Sequence, residues 1–306
     1  MALTTDRPDA QTLGGDRAEV ARVRAVEELT VSRRGDGAHR VLKAEVDGRT
    51  VAIKIYGLKR GRLDVVLRQF GSLAVVGKSS ISAAGRCRTE RHTLELWRRE
   101  GFEVPAIAAI DEEALTAAGV SSRNPWLALE WVPGPALGKM VMRDDLALHR
   151  KEEIVADFSR ACAERHARAV ALDEPRLICE HPTFEHVIYS EGRFVYFDFE
   201  IVFTARCSLE TLIVRELGGF VRSMLRMAGD HFAPLVGALV AAYPEKGRFA
   251  RVRDDFERFG AVPVFDWLGA LPMAGALARL VRGAKHEVRK KIVSELDRAL
   301  DGEARV

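Results

Sequence analysis

The chain has 306 residues, 47% hydrophobic and 30% charged, a composition suited to a water-soluble globular protein of one large or two-lobed domain. A net charge of +3 is too small to suggest a polyelectrolyte partner, so no nucleic acid is expected. The four cysteines (Cys87, Cys162, Cys179, Cys207) form no C-x-x-C pair, which argues against a zinc ribbon or disulfide framework and for reduced thiols in a cytoplasmic compartment.

Residues 1–20 are polar and predict a flexible tail without a secretory signal. From about Val26 three alternating apolar runs follow: VEELTVSRRGDG, HRVLKAEVDG and RTVAIKIYG. Turn residues at Gly35-Asp36-Gly37 and at Asp47-Gly48 separate them, predicting three antiparallel strands. Residues 59–100 are charged with helical period. They end in RCRTERHTLELWRRE, with Gly101 near the C-cap and Pro105 beyond. On that helix Glu90, Leu94 and Trp97 share a face, and Glu95 is a rival carboxylate. A second strand pair is predicted in VPAIAAIDEE and PWLALEWV, and Pro133-Gly134 marks a break. The remainder is mostly helical, except for a hairpin of VIYS and RFVYFDFE about Glu191-Gly192. No uncharged apolar run reaches about 18 residues, so no membrane span is expected. The pattern predicts an α+β, bilobal chain. Its small antiparallel β-rich lobe, with one key helix, occupies 21–132, and its larger, mainly helical lobe occupies 133–306.

Four short elements stand in order along this frame. They are Val51-Ala52-Ile53-Lys54 on the third strand, Glu90 on the helix, the segment LALEWVPG at 127–134, and Asp198-Phe199-Glu200 closing the hairpin. Each alone is a common pattern. Together, with GFEVP preceding the second strand pair, they resemble the protein-kinase-like superfamily over about residues 27–225. Within it the chain resembles bacterial lipopolysaccharide core sugar (Kdo/heptose) kinases and aminoglycoside-type phosphotransferases. That resemblance implies a bilobal kinase-like fold with ATP and Mg²⁺ as cofactors. It implies that Lys54 meets the ATP phosphates, that Glu90 holds Lys54, and that backbone groups around Glu130 to Val132 meet adenine. It also implies that Asp198 holds the metal. Gly35 and Gly37 would supply a reduced glycine-rich loop over the phosphates, with Arg40 where a third glycine would stand; an ordinary hairpin turn explains the pair equally well.

The resemblance fails at the catalytic loop. A kinase has H-x-D-x-x-x-x-N before the hairpin, whereas this chain has Cys179-Glu180-His181-Pro182-Thr183-Phe184-Glu185-His186. His181 falls at the place of the catalytic Asp, His186 at the metal-binding Asn, and Cys179 at the first His. Three readings stay open. In one, His181 is the general base, oriented by Glu180 or Glu185. Metal would then be held by Asp198, with His186 a poor nitrogen substitute and Glu200 or Glu185 as helpers. In the second, the chain is a pseudokinase: ATP binds without transfer, and the chain serves as a regulatory module. In the third, nucleotide no longer binds and the histidines are core groups. Glu216 stands where the family braces this loop from below; a surface Glu beside a basic neighbour is the plain alternative.

The expected acceptor is a small-molecule or lipid-linked sugar hydroxyl. The last helix, LARLVRGAKHEVRKKIVSELDRAL, could carry an apolar stripe of Leu280, Val288, Ile292, Leu296 and Leu300. Arg282, Lys285, Arg289, Lys290 and Lys291 surround it. Such a helix suits peripheral contact with the inner membrane surface, or simply the closing helix of a domain.

Overall fold

The computed structural model describes residues 23–30, 39–57, 82–110, 112–117, 124–203, 207–259 and 275–303. The N-terminal tail, the Gly35–Gly37 turn and residues 58–81 lie outside them. The three predicted strands form as β1 (Val23–Thr30), β2 (His39–Val46) and β3 (Arg49–Tyr56), joined by β4 (Trp126–Glu130) in the order β1-β2-β3-β4. All neighbours are antiparallel. The β2–β3 turn is Asp47-Gly48, with φ of 50° and 74°, the left-handed region that a two-residue hairpin requires.

The two-residue period of the strands sorts the sheet into two faces. Leu42, Ala44, Val46, Val51, Ile53 and Ile55 form one small core with Ala128 and with Leu115 of α2 (Glu112–Ala117). Tyr56, Leu127 and Leu129 join the larger core instead. Lys54 shares the face of Tyr56, and is therefore aimed at the rest of the molecule.

The predicted strand in VPAIAAIDEE does not form. It makes one isolated bridge, Ile107 to Leu129, with Ala108 N–H donating to Ala128 O and Glu130 N–H to Ala106 O. Pro105 offers no N–H to a ladder, and the acidic end of the run starts the short helix α2.

Helix α1 (Ala83–Arg99) begins at Ser82, whose Oγ accepts from Gly85 N–H. It ends in a Schellman motif: Gly101 at φ 85°, Phe102 N–H to Trp97 O, and Gly101 N–H to Arg98 O. After β4 the chain passes Gly134, at φ 124°, where an added Cβ would lie 2.5 Å from the Tyr189 carbonyl oxygen. Only glycine lets these two backbones approach.

The helical part comprises α3 (Leu137–Val141), α4 (Leu148–Leu172), α5 (Leu209–Met227), α6 (Phe232–Ala242), α7 (Lys246–Phe259) and α8 (Gly275–Glu303). The hairpin β5 (Val187–Ser190) and β6 (Arg193–Tyr196) packs among them. Phe158 of α4 sits at the centre, its ring edge-on to Phe184, Phe194 and Phe220. In α8, Ile292 and Leu296 are fully buried, Leu300 packs against the same core, and Lys291 lies over the Phe232 ring. This part of the stripe faces the body against α6 and α7, which removes its use as a membrane-facing surface; the side chains of Leu280, Arg282 and Lys285 lie outside the described residues. Among the described residues no helix is long and apolar enough to cross a membrane.

Candidate active site

Strand β3 delivers Lys54, α1 delivers Glu90, and the stretch after β6 delivers Asp198. The three meet. Lys54 Nζ lies 2.7 Å from Glu90 Oε2 and 2.5 Å from Asp198 Oδ1. Glu90 is buried on the same face as Leu94 and Trp97, while Glu95 is exposed. Burial alone would discharge Lys54. The carboxylates of Glu90, Asp198 and Glu200 outweigh it and hold the ammonium above its ordinary range.

Tyr56, two residues beyond Lys54 on the same strand face, donates its hydroxyl to Glu90 Oε2 at 2.5 Å. Arg86, one turn before Glu90, ion-pairs with Glu200 at 2.8 Å. Neither was picked from sequence. The spacings i+2 on a strand and i−4 on a helix were the available signals.

Asp198 has φ 71°, an uncommon conformation for a residue with a Cβ and one that clusters at functional sites. Phe199 is buried against Trp97 of α1, with ring centroids 4.6 Å apart. Trp97 in turn donates its indole N–H to Arg176 O just before the loop, so α1 is tied to the loop region as well as to the sheet.

The loop 179–186 is braced from beneath, as the resemblance implies. Glu216 of α5 is fully buried and accepts from Cys179 N–H at 3.1 Å, from Arg165 on α4, and from His166 Nε2 at 3.0 Å. Burial opposes its charge, but Arg165 and His166 overcome that and hold the carboxyl down to about 2. This rules out the plain surface-Glu alternative. Burial, and then the Glu216 carboxylate, push the Cys179 thiol well above its usual range. Further along, Thr183 Oγ1 and Phe184 N–H meet Ser223 Oγ on α5, and Pro182 lies against Gly219.

His181 is about half exposed, and its Nε2 lies 2.8 Å from Oε2 of Glu180, whose side chain is buried. Glu185, the other carboxylate of the loop, is exposed. His186 Nδ1 lies 3.3 Å from His181 O, and its Nε2 lies 3.5 Å from Asp198 Oδ2. His181, His186 and Asp198 line one small recess with Thr183 and Phe197.

Glu200 does not line this recess; it is buried and turned to Arg86. Among the described residues no three His, Cys, Asp or Glu side chains gather tightly enough to hold a metal by themselves. Asp198 is a hard oxygen donor at the recess, which fits Mg²⁺ held by one carboxylate together with substrate phosphates, the usual arrangement for that ion. At the crossing, the Glu130 N–H is committed to Ala106 O and the Trp131 N–H to Thr50 O. Val132 lies beyond the sheet, with its backbone outside the ladder. Lys43 Nζ lies over the Trp131 ring, 4.6 Å from its centroid. Gly35 and Gly37 lie outside the described residues.

No protein-family model and no curated protein matches the chain. Among solved structures it is similar to WaaP in complex with acyl carrier protein, at 13% identity over 86% of this chain and 88% of that one, with a TM-score of 0.42. It is also similar to a thermostable mutant of aminoglycoside phosphotransferase APH(4)-Ia, solved as a ternary complex with ADP and hygromycin B. There the identity is 14% over 89% of this chain and 94% of that one, with a TM-score of 0.42. Likeness at this level does not carry an activity across. The topology stands on its own: an antiparallel sheet with a docked helix, a crossing segment, and a helical body whose hairpin returns an Asp to the sheet's Lys.

Proposed function

We propose that the chain is an ATP-dependent phosphotransferase acting on a hydroxyl of a small-molecule or lipid-linked sugar. The observation that carries this is the buried meeting of Lys54, Glu90 and Asp198, brought together from three separate elements. In this reading Lys54 is held charged and extended by Glu90 and Tyr56, ready to face the α- and β-phosphates. The Val132 backbone and the Glu130 carbonyl face adenine. Asp198, with His186 beside it, is the residue that would hold Mg²⁺, an ion that supplies charge neutralisation on the phosphates.

His181 accepts the acceptor's hydroxyl proton. Glu180 fixes its Nε2, which leaves Nδ1 as the basic nitrogen and stabilises the imidazolium once formed. Phosphoryl transfer depends mainly on positioning and charge stabilisation, so an imidazole in the carboxylate's place is compatible with it.

A second reading, nucleotide binding without transfer, is favoured by one feature: His186 occupies the second metal-binding place with a nitrogen. Two measurements separate these readings. A thermal shift that needs both ATP and Mg²⁺ supports either; its absence removes both. ATP consumption that depends on an added sugar or lipid-sugar acceptor supports the enzyme. Binding with no consumption across an acceptor panel supports the module.

A further inference from the structure

We propose that the buried Arg86–Glu200 ion pair is a positioning device that holds Asp198 in its metal-facing conformation; this rests on the nucleotide-binding reading of the cleft. Arg86 and Glu200 are both buried, with Nη1 2.8 Å from Oε2, and Arg86 Nη2 also donates to Gly57 O at 2.5 Å, just past the end of β3. Arg86 and Glu90 lie one turn apart on α1. One grips Glu200; the other grips Lys54, which grips Asp198. Between these ends Phe199 packs on Trp97 of the same helix.

The triplet 198–200 is thus clamped at each of its three residues by α1 or by Lys54. Such a clamp is what a non-glycine residue at φ 71° requires, since that conformation persists only where the surroundings over-determine it. A glycine at position 200 would carry no such tie and would loosen the backbone. Glu200 is therefore an anchor, and Arg86 its partner, rather than Glu200 being a metal ligand.

The test is calorimetric titration of ATP, with and without Mg²⁺, on the full chain and its Arg86→Gln, Arg86→Lys and Glu200→Gln variants, with thermal melting as the folding control. The expected result is unchanged metal-free ATP affinity in all of them, because Lys54 stays in place. The gain in affinity that Mg²⁺ confers should fall by about tenfold in Arg86→Gln and Glu200→Gln, and by less in Arg86→Lys, which keeps a cation.

If Glu200 were itself a ligand, Arg86→Gln would keep the full Mg²⁺ gain, and that result overturns the proposal. Should Arg86→Gln not fold, Arg86→Lys decides: a partial loss of the gain supports the anchor, an undiminished gain overturns it. Equal losses with and without Mg²⁺ would show a merely structural pair and also overturn it. Wild-type chain that takes up no ATP at all would remove the cleft reading and this proposal together, an outcome distinct from variants that match a binding wild type.

Discussion

Lys54 is a cation held by two carboxylates, and its role can be separated from that of Asp198 by substitution. Lys54→Ala removes the charge facing the phosphates and should weaken ATP binding with or without metal. It also leaves Glu90 buried without its cation, so a loss of stability of about 3–5 kcal/mol should accompany it in urea unfolding. Asp198→Ala should instead abolish the Mg²⁺ dependence of binding while leaving much of the metal-free affinity. His181→Asn should lower turnover by about 10²–10⁴-fold with nearly unchanged ATP affinity, the size expected for a lost general base. Full turnover in that variant would place the base elsewhere, with Glu185 next to be tested. At this scale much was legible in the sequence. Lys54 and Asp198 sit in recognisable local contexts, and the helical face of Leu94 and Trp97 chose Glu90 over Glu95. The Arg86–Glu200 pair was not legible, because its partners lie 114 residues apart and nothing local in either segment names the other.

Helices α1 and α5 set the geometry of the cleft, each by a few contacts that substitution can disturb. Gly219 of α5 faces the loop: a Cβ there would lie 2.2 Å from Pro182 Cγ and 3.2 Å from its Cβ. Gly219→Ala should therefore displace Pro182 and the adjoining His181, costing about 1–3 kcal/mol by overpacking. Turnover should fall more than ATP affinity; steady-state kinetics beside calorimetry would show whether the loss lies in kcat. Sequence periodicity predicted α1, its cap and its buried seam, because these are local properties of one amphipathic segment. It overstated the strand in VPAIAAIDEE. There Pro105 and a single bridge replace a ladder, and only the position of β4 reveals it. The closing helix was read correctly as amphipathic. What its stripe covers depended on α6 and α7, which the helix's own sequence does not contain.

For the whole molecule, the helical part carries a buried cluster of charges that must survive folding, and acid should find it first. The Glu216 carboxyl, ordinarily near 4.5, is held at about 2 by Arg165 and His166 against its own burial. Its contribution is present above about pH 4.5 and is lost as pH falls toward 2, because only the unfolded chain binds the proton in that window. His166 is pushed below its usual 6.5, chiefly by burial. Its effect has the same sign: stability declines as pH drops through 6.5, where the unfolded chain takes up a proton that the folded one refuses. Urea unfolding should therefore show stability falling in two stages, from about pH 6.5 and again below about pH 4.5. Glu216→Gln should be less stable at pH 7, since it leaves Arg165 buried beside a neutral group, and should lose the lower stage. An unchanged acid limb in that variant would assign acid lability to other groups.

That a strand-rich part precedes a mainly helical one was legible from element order alone. The meeting of the two parts at one lysine is the feature on which everything functional depends. The most direct test is calorimetric titration of Mg-ATP into wild-type chain, Lys54→Ala and Asp198→Ala, each confirmed folded by melting. Saturable binding by wild type, weakened in Lys54→Ala and stripped of its Mg²⁺ dependence in Asp198→Ala, is the predicted result. No binding by wild type, or equal binding by all three, would contradict it.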